Sequence, residues 1–200
     1  MKNKKYFIIT CSLLLLVSGY LVFTRYDSSW QYDVGDVVDE FNGVEVYYNG
    51  GVNHVSSRHL TEGGYNLGLS YQCVEFVKRY YYEYYAHQMP DSYGHAKSFY
   101  DASLASGDIN VKRGLVQYKN GAEKIPKEGD IAVYKPTIFN RYGHVSIISA
   151  VNEAEGTVEV IQQNAGPYQP SRTVYRLINK DGSYQIDNKR IFGWLRFEQT

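Results

Sequence analysis

Tyr71-Gln72-Cys73-Val74-Glu75-Phe76-Val77 is the stretch whose reading decides the fold. It follows a polar loop bearing Gly63, Gly64 and Gly68. From Cys73 onward the apolar positions Val74, Val77, Tyr81 and Tyr84 recur on one face at helical spacing. The thiol is therefore expected in the first turn of a helix, with Ser70 as its candidate N-cap. Unpaired amide hydrogens and the positive end of the helix dipole favour thiolate there, and an adjacent imidazolium favours it further. A free cysteine at a helix start is also commonly a small buried apolar residue, so Cys73 alone defines no site. Tyrosines at 80, 81, 82, 84 and 85 cannot all point inward. Each reads most simply as a core-boundary residue, with the remainder lining a surface or groove. Glu75 stands at helical spacing from Lys78 and Arg79.

The chain downstream changes period. A second helix is expected from Ala96 to about Ser106, stopped by Gly107. The turn Pro126-Lys127-Glu128-Gly129-Asp130 then feeds Ile131-Ala132-Val133-Tyr134. Further β-type runs begin at His144, Thr157, Thr173 and Ile191. No helix separates them, so the sheet is expected to be antiparallel. Upstream, Asn42-Gly43 marks a turn before a short strand that ends at Asn49-Gly50-Gly51. Helices first and sheet second give an α+β fold, N-terminal helices packed on an antiparallel β-sheet. In Gly143-His144-Val145-Ser146-Ile147-Ile148 the histidine opens a strand and is the candidate base for Cys73. By itself it is as readily an ordinary core or surface histidine. The run Thr157-Val158-Glu159-Val160-Ile161 ends in Gln162-Gln163-Asn164. By the two-residue period Gln162 and Asn164 share a face, so either can accept the second imidazole N–H and fix the tautomer.

At these residues the chain resembles the cysteine, histidine-dependent amidohydrolase/peptidase (CHAP) domain. The resemblance rests on Gln72-Cys73-Val74-Glu75-Phe76, Gly129-Asp130, Gly143-His144-Val145, Ile161-Gln162-Gln163-Asn164 and Gly193-Trp194, in that order, and runs from about Phe41 to the C-terminus. Gly43-Val44-Glu45-Val46-Tyr47 brings it nearest to the amidase domain of glutathionylspermidine synthetase/amidase. The resemblance implies a papain-like fold, a Cys73 nucleophile, a His144 base and Gln72 as an oxyanion contributor. It also implies an amide substrate, either a peptidoglycan peptide or a glutathione-polyamine conjugate. The family usually has Glu where this chain has Gln162, and a neutral amide stabilises imidazolium less than a carboxylate does. Asn164 matches the family's Asn.

With 200 residues and no formal net charge, the chain has room for one core and lacks the basic footprint of a nucleic-acid binder. No DNA or RNA partner and no cofactor are expected. Cys11 lies in an apolar run, so a Cys11–Cys73 disulfide is not expected. His54 and His59 fit no metal-ligand spacing. Lys2, Lys4 and Lys5 precede an uncharged stretch, Tyr6 to Phe23, read as a transmembrane signal anchor with the N-terminus inside. The expected organisation is a cytoplasmic tail at 1–5, the anchor at 6–23, a linker or surface strap at 24–40 and the amidase-like domain at 41–200. That domain would face the periplasm or cell surface.

Overall fold

The computed structural model describes residues 2–23, 31–166 and 169–198. Helix α1 spans Lys2–Phe23. Among the described residues no helix is long and apolar enough to cross a membrane. The transmembrane span expected over 6–23 is thus not carried by the structure. Thr10, Ser12, Ser18 and Gly19 interrupt its apolar surface, and the Thr10 and Ser18 hydroxyls donate back to Tyr6 O and Leu15 O. Leu13, Leu14, Leu15 and Leu16 are all exposed.

The folded body begins with a hairpin, β1 (Val37–Phe41) and β2 (Val44–Tyr47). Its two-residue turn puts Asn42 at φ 51° and Gly43 at φ 80°, the left-handed pair that such a turn demands. Strand β1 therefore starts inside the stretch expected as linker, and Arg172 holds it there by bonding the Asp39 carboxylate. A second hairpin, β3 (Arg58–Leu60) and β4 (Asn66–Leu69), leads into α2 (Cys73–Tyr85).

Eight strands then build one antiparallel sheet. They are β5 (Ile109–Asn110), β6 (Leu115–Lys119), β7 (Ile131–Tyr134), β8 (His144–Asn152), β9 (Thr157–Ile161), β10 (Arg172–Lys180), β11 (Ser183–Ile186) and β12 (Ile191–Arg196). Their order across the sheet is β11-β10-β9-β8-β7-β12-β6-β5. All five β-type runs read from the sequence lie in it, as β7, β8, β9, β10 and β12. The two-residue alternation sorts the side chains. Ile131, Val133, Val145, Ile147, Ile161 and Leu195 face Phe76, Val77, Tyr80 and Tyr81 of α2, while Ala132, Ile148, Val158, Val160 and Trp194 form a second buried cluster on the opposite face.

The helix expected over 96–106 is a single 3-10 turn, Ala96–Phe99. Side chains take over the backbone groups that a longer helix would have paired. Gln117 accepts from Asp101 N and donates to Asp101 O, and the Asp101 carboxylate receives Ser103 N and Oγ. Two buried cations anchor the neighbouring loop. Lys78 Nζ donates to Asn66 O and Ser92 O, and Arg113 donates to Asp91 O, Tyr93 O and Ser98 O. Burial pulls the Lys78 ammonium down to about 8.

At the far side of the core Arg196 binds Asp130 through two hydrogen bonds, 2.9 and 2.7 Å, and both residues are buried. Asp130→Asn leaves that guanidinium without a counter-charge and is expected to cost about 3–5 kcal/mol. The check is a lower urea midpoint at unchanged slope.

Candidate active site

The position of Cys73 comes from a tight turn. Gln72 N donates to Leu69 O at 3.1 Å, and Tyr71 adopts φ 63°, so the chain enters α2 with Cys73 as the first helical residue. The N-cap is Gln72, in extended conformation and without a side-chain capping bond. Ser70, expected as the cap, instead pairs its hydroxyl with Ser57 at 3.0 Å, because the Tyr71 turn carries it away from the helix axis. The first-turn amides have no intrahelical acceptor by construction, and the N-cap side chain does not bond them; those of Cys73 and Val74 point at the Cys73 sulfur instead.

Cys73 is half-buried, with its sulfur against the core. Burial pushes the thiol up to about 11, although the N–H groups of Val145, Val74 and Cys73 itself point at the sulfur and oppose the rise. Val145 directly follows His144, so the sulfur sits beside the start of β8. His144 is buried, with its ring 5.3 Å from that of Tyr134. Burial draws its imidazole down to about 4. No hydrogen bond joins Cys73 to His144, so the resting pair is a neutral thiol beside a neutral imidazole.

Gln162 fixes the tautomer. Its Nε2 donates to Pro170 O at 3.1 Å and Thr173 Oγ1 at 3.2 Å, which turns Oε1 toward His144 Nε2 at 3.0 Å. An amide oxygen only accepts, so His144 Nε2 carries the proton and Nδ1 keeps a free lone pair. Asn164 does not share this role. Strand β9 ends at Ile161 and Asn164 takes φ 51°, so the alternation that would have put it beside Gln162 stops. Its Nδ2 donates to Gln72 Oε1 at 2.7 Å and Val52 O at 3.1 Å. Gln72 Nε2 in turn donates to His54 O at 2.7 Å, leaving its second hydrogen uncommitted. The structure thus brings Cys73, His144 and Gln162 to one place and sets Asn164 behind Gln72.

The sequence reading did not find the network beneath the nucleophile. The Glu75 carboxylate, 1 % exposed, accepts from Arg79 Nε at 2.6 Å, His59 Nδ1 at 2.9 Å and Gln163 Nε2 at 2.9 Å. Helical spacing did indicate Arg79, whereas Lys78 turns to the loop carbonyls. The signal for Gln163 was the run of three amides closing an apolar strand, more than a solvated strand end needs. Among the described residues no three His, Cys, Asp or Glu side chains gather as metal ligands.

The architecture defines an α+β protein whose site sets a helix-start cysteine beside a strand-start histidine. Residues 63–164, just over half of the chain, match the CHAP domain, and the chain belongs to that family. Among solved structures, a wild type endolysin, LysIME-EF1, is 18% identical with a TM-score of 0.38, covering 72% of this chain and 60% of its own. Ly7917 is 19% identical with a TM-score of 0.41, covering 64% and 53%. This chain therefore spans less than two thirds of the length of either. No curated protein matches it.

Gln162→Glu places a carboxylate on His144 Nε2–H. It is expected to raise the imidazole pKa and to speed iodoacetamide labelling of Cys73 near neutral pH; an unchanged or slower rate removes Gln162 from the site. Stability should carry the mark of the buried ring. His144 takes up a proton only near pH 4 when folded but near 6.5 when unfolded, so its contribution is complete above about 6.5 and is lost as pH falls toward about 4. His59, raised by its bond to Glu75, acts in the opposite direction. The difference between wild type and His144→Gln isolates the term, and the variant is expected to lose less stability from about pH 7 to about pH 4.

Proposed function

We propose that this protein is a cysteine amidohydrolase/peptidase that cleaves amide bonds in peptidoglycan peptides through a thioester, on a papain-like arrangement of helix and sheet. The observation that carries the reading is the uncapped start of α2. It presents a partly buried thiol, met by first-turn amides, beside a histidine whose free nitrogen is set by Gln162.

In this mechanism Cys73 Sγ attacks the amide carbonyl while His144 Nδ1 takes the thiol proton, so that no free thiolate need accumulate. The imidazolium so formed shares its Nε2–H with Gln162 Oε1. The carbonyl oxygen becomes an oxyanion held by the Cys73 N–H, with the uncommitted Gln72 Nε2 hydrogen as second donor. His144 then protonates the leaving nitrogen, the C–N bond breaks and a Cys73 thioester remains. Water, deprotonated by the same nitrogen, attacks the thioester; the new acid departs and the proton returns to sulfur.

Membership of the CHAP family supports amide hydrolysis. The substrate assignment also implies action outside the cytoplasm. The Gly43–Tyr47 segment favours a second substrate, a glutathione-polyamine amide. Purified full-length chain incubated with peptidoglycan and with glutathionylspermidine separates the two. Amine release from peptidoglycan that vanishes in Cys73→Ala is expected. Turnover that survives Cys73→Ala, or binding without turnover on both substrates, overturns the enzymatic reading.

A further inference from the structure

The three residues that close β9 divide one task. Gln162 holds the ring of His144, and Asn164 holds the side chain of Gln72. Gln163 lies between them, 1 % exposed, with both polar atoms of its side chain bonded. Its Nε2 donates to Gln72 O at 3.0 Å and Glu75 Oε2 at 2.9 Å, and its Oε1 accepts from Tyr47 N at 2.8 Å.

The Gln72 carbonyl belongs to the same planar peptide unit as the Cys73 N–H. A bond that fixes the carbonyl therefore fixes the direction of that N–H, the first oxyanion donor, and the point at which the thiol leaves the backbone. The same carbonyl accepts the first intrahelical bond of α2, from Phe76 N at 3.1 Å. One peptide bond away, Gln162 grips the base. Base and nucleophile are thus both referenced to a single main-chain link, Gln162–Gln163.

We propose that Gln163 is a positioning residue: it sets the separation of Cys73 from His144 and the aim of the Cys73 N–H, without touching substrate. The inference rests on the thioester reading above. Misplacing a reacting group by about 1 Å can cost about 100-fold in rate, so the effect should appear in kcat rather than in binding.

The test compares full-length wild type with Gln163→Met, which keeps the length and removes the polar ends. Asp130→Asn serves as a control destabilised in the core away from the site. Each is assayed the same number of degrees below its own melting temperature. Gln163→Met is expected to lose about 100-fold in kcat on peptidoglycan with KM changed by less than about threefold, while Asp130→Asn stays within about threefold in kcat. Iodoacetamide labelling of Cys73 at neutral pH should slow by about tenfold in Gln163→Met alone, because the imidazole is no longer placed to take the thiol proton as the sulfur attacks. If Gln163→Met does not fold, Gln163→Asn, shorter by one methylene with the amide kept, is expected to show the same kcat-selective loss. Wild-type kcat in Gln163→Asn, or a loss in Gln163→Met no larger than in Asp130→Asn, overturns the proposal. Labelling needs no peptidoglycan, so a wrong substrate assignment leaves that readout standing.

Discussion

A buried carboxylate governs how the helix of the nucleophile meets the sheet. Burial works to raise the Glu75 pKa, yet His59, Arg79 and Gln163 outweigh it and hold the group below the ordinary carboxylate range. An unpaired charge in that place would be prohibitive. Its partners come from separate parts of the chain: β3, α2 and the turn after β9. Two of them reach on to β2, Arg79 to Glu45 O and Gln163 to Tyr47 N. The carboxylate can be satisfied only when the first hairpin, the second hairpin, α2 and the sheet are all in register. Fold and site therefore share one condition.

With that scaffold fixed, the electrostatics of the catalytic pair follow from its surroundings. Neither the thiol nor the imidazole has a charged neighbour to favour ionisation, and the residue that touches the ring is an amide. A carboxylate there would bias the pair toward thiolate and imidazolium at rest. An amide instead orients the ring and adds no charge to the pair. Gln162, Gln163 and Asn164 each serve a different partner, although by residue type they look like a uniform polar strand end.

Much of this was legible from sequence where local periodicity coincides with burial. The helix from Cys73 and strands β7, β8, β9, β10 and β12 follow from alternation and spacing. Other features were not legible. Tyr71 takes a left-handed conformation without being glycine, so nothing marked the turn that moved the cap from Ser70 to Gln72. The 96–106 segment has helical spacing, but Gln117 and Asp101 bond its backbone more directly. The Gln162 and Asn164 alternatives separated only because Asn164 leaves the strand geometry. Strand β5, two residues long, is too short to show a period, and β6 turns Gln117 inward, which hides its alternation. Of the partners of Glu75 only Arg79, at helical spacing, is legible; His59 and Gln163, distant in sequence, meet it only after the sheet has formed.

The sulfur's protonation at rest bears on durability. With a thiol pushed up to about 11, roughly one molecule in ten thousand carries thiolate at pH 7. Thiolate is the form that peroxides convert to sulfenic acid and then beyond recovery. A cysteine held as thiol at rest is thereby less open to oxidation than one held as thiolate.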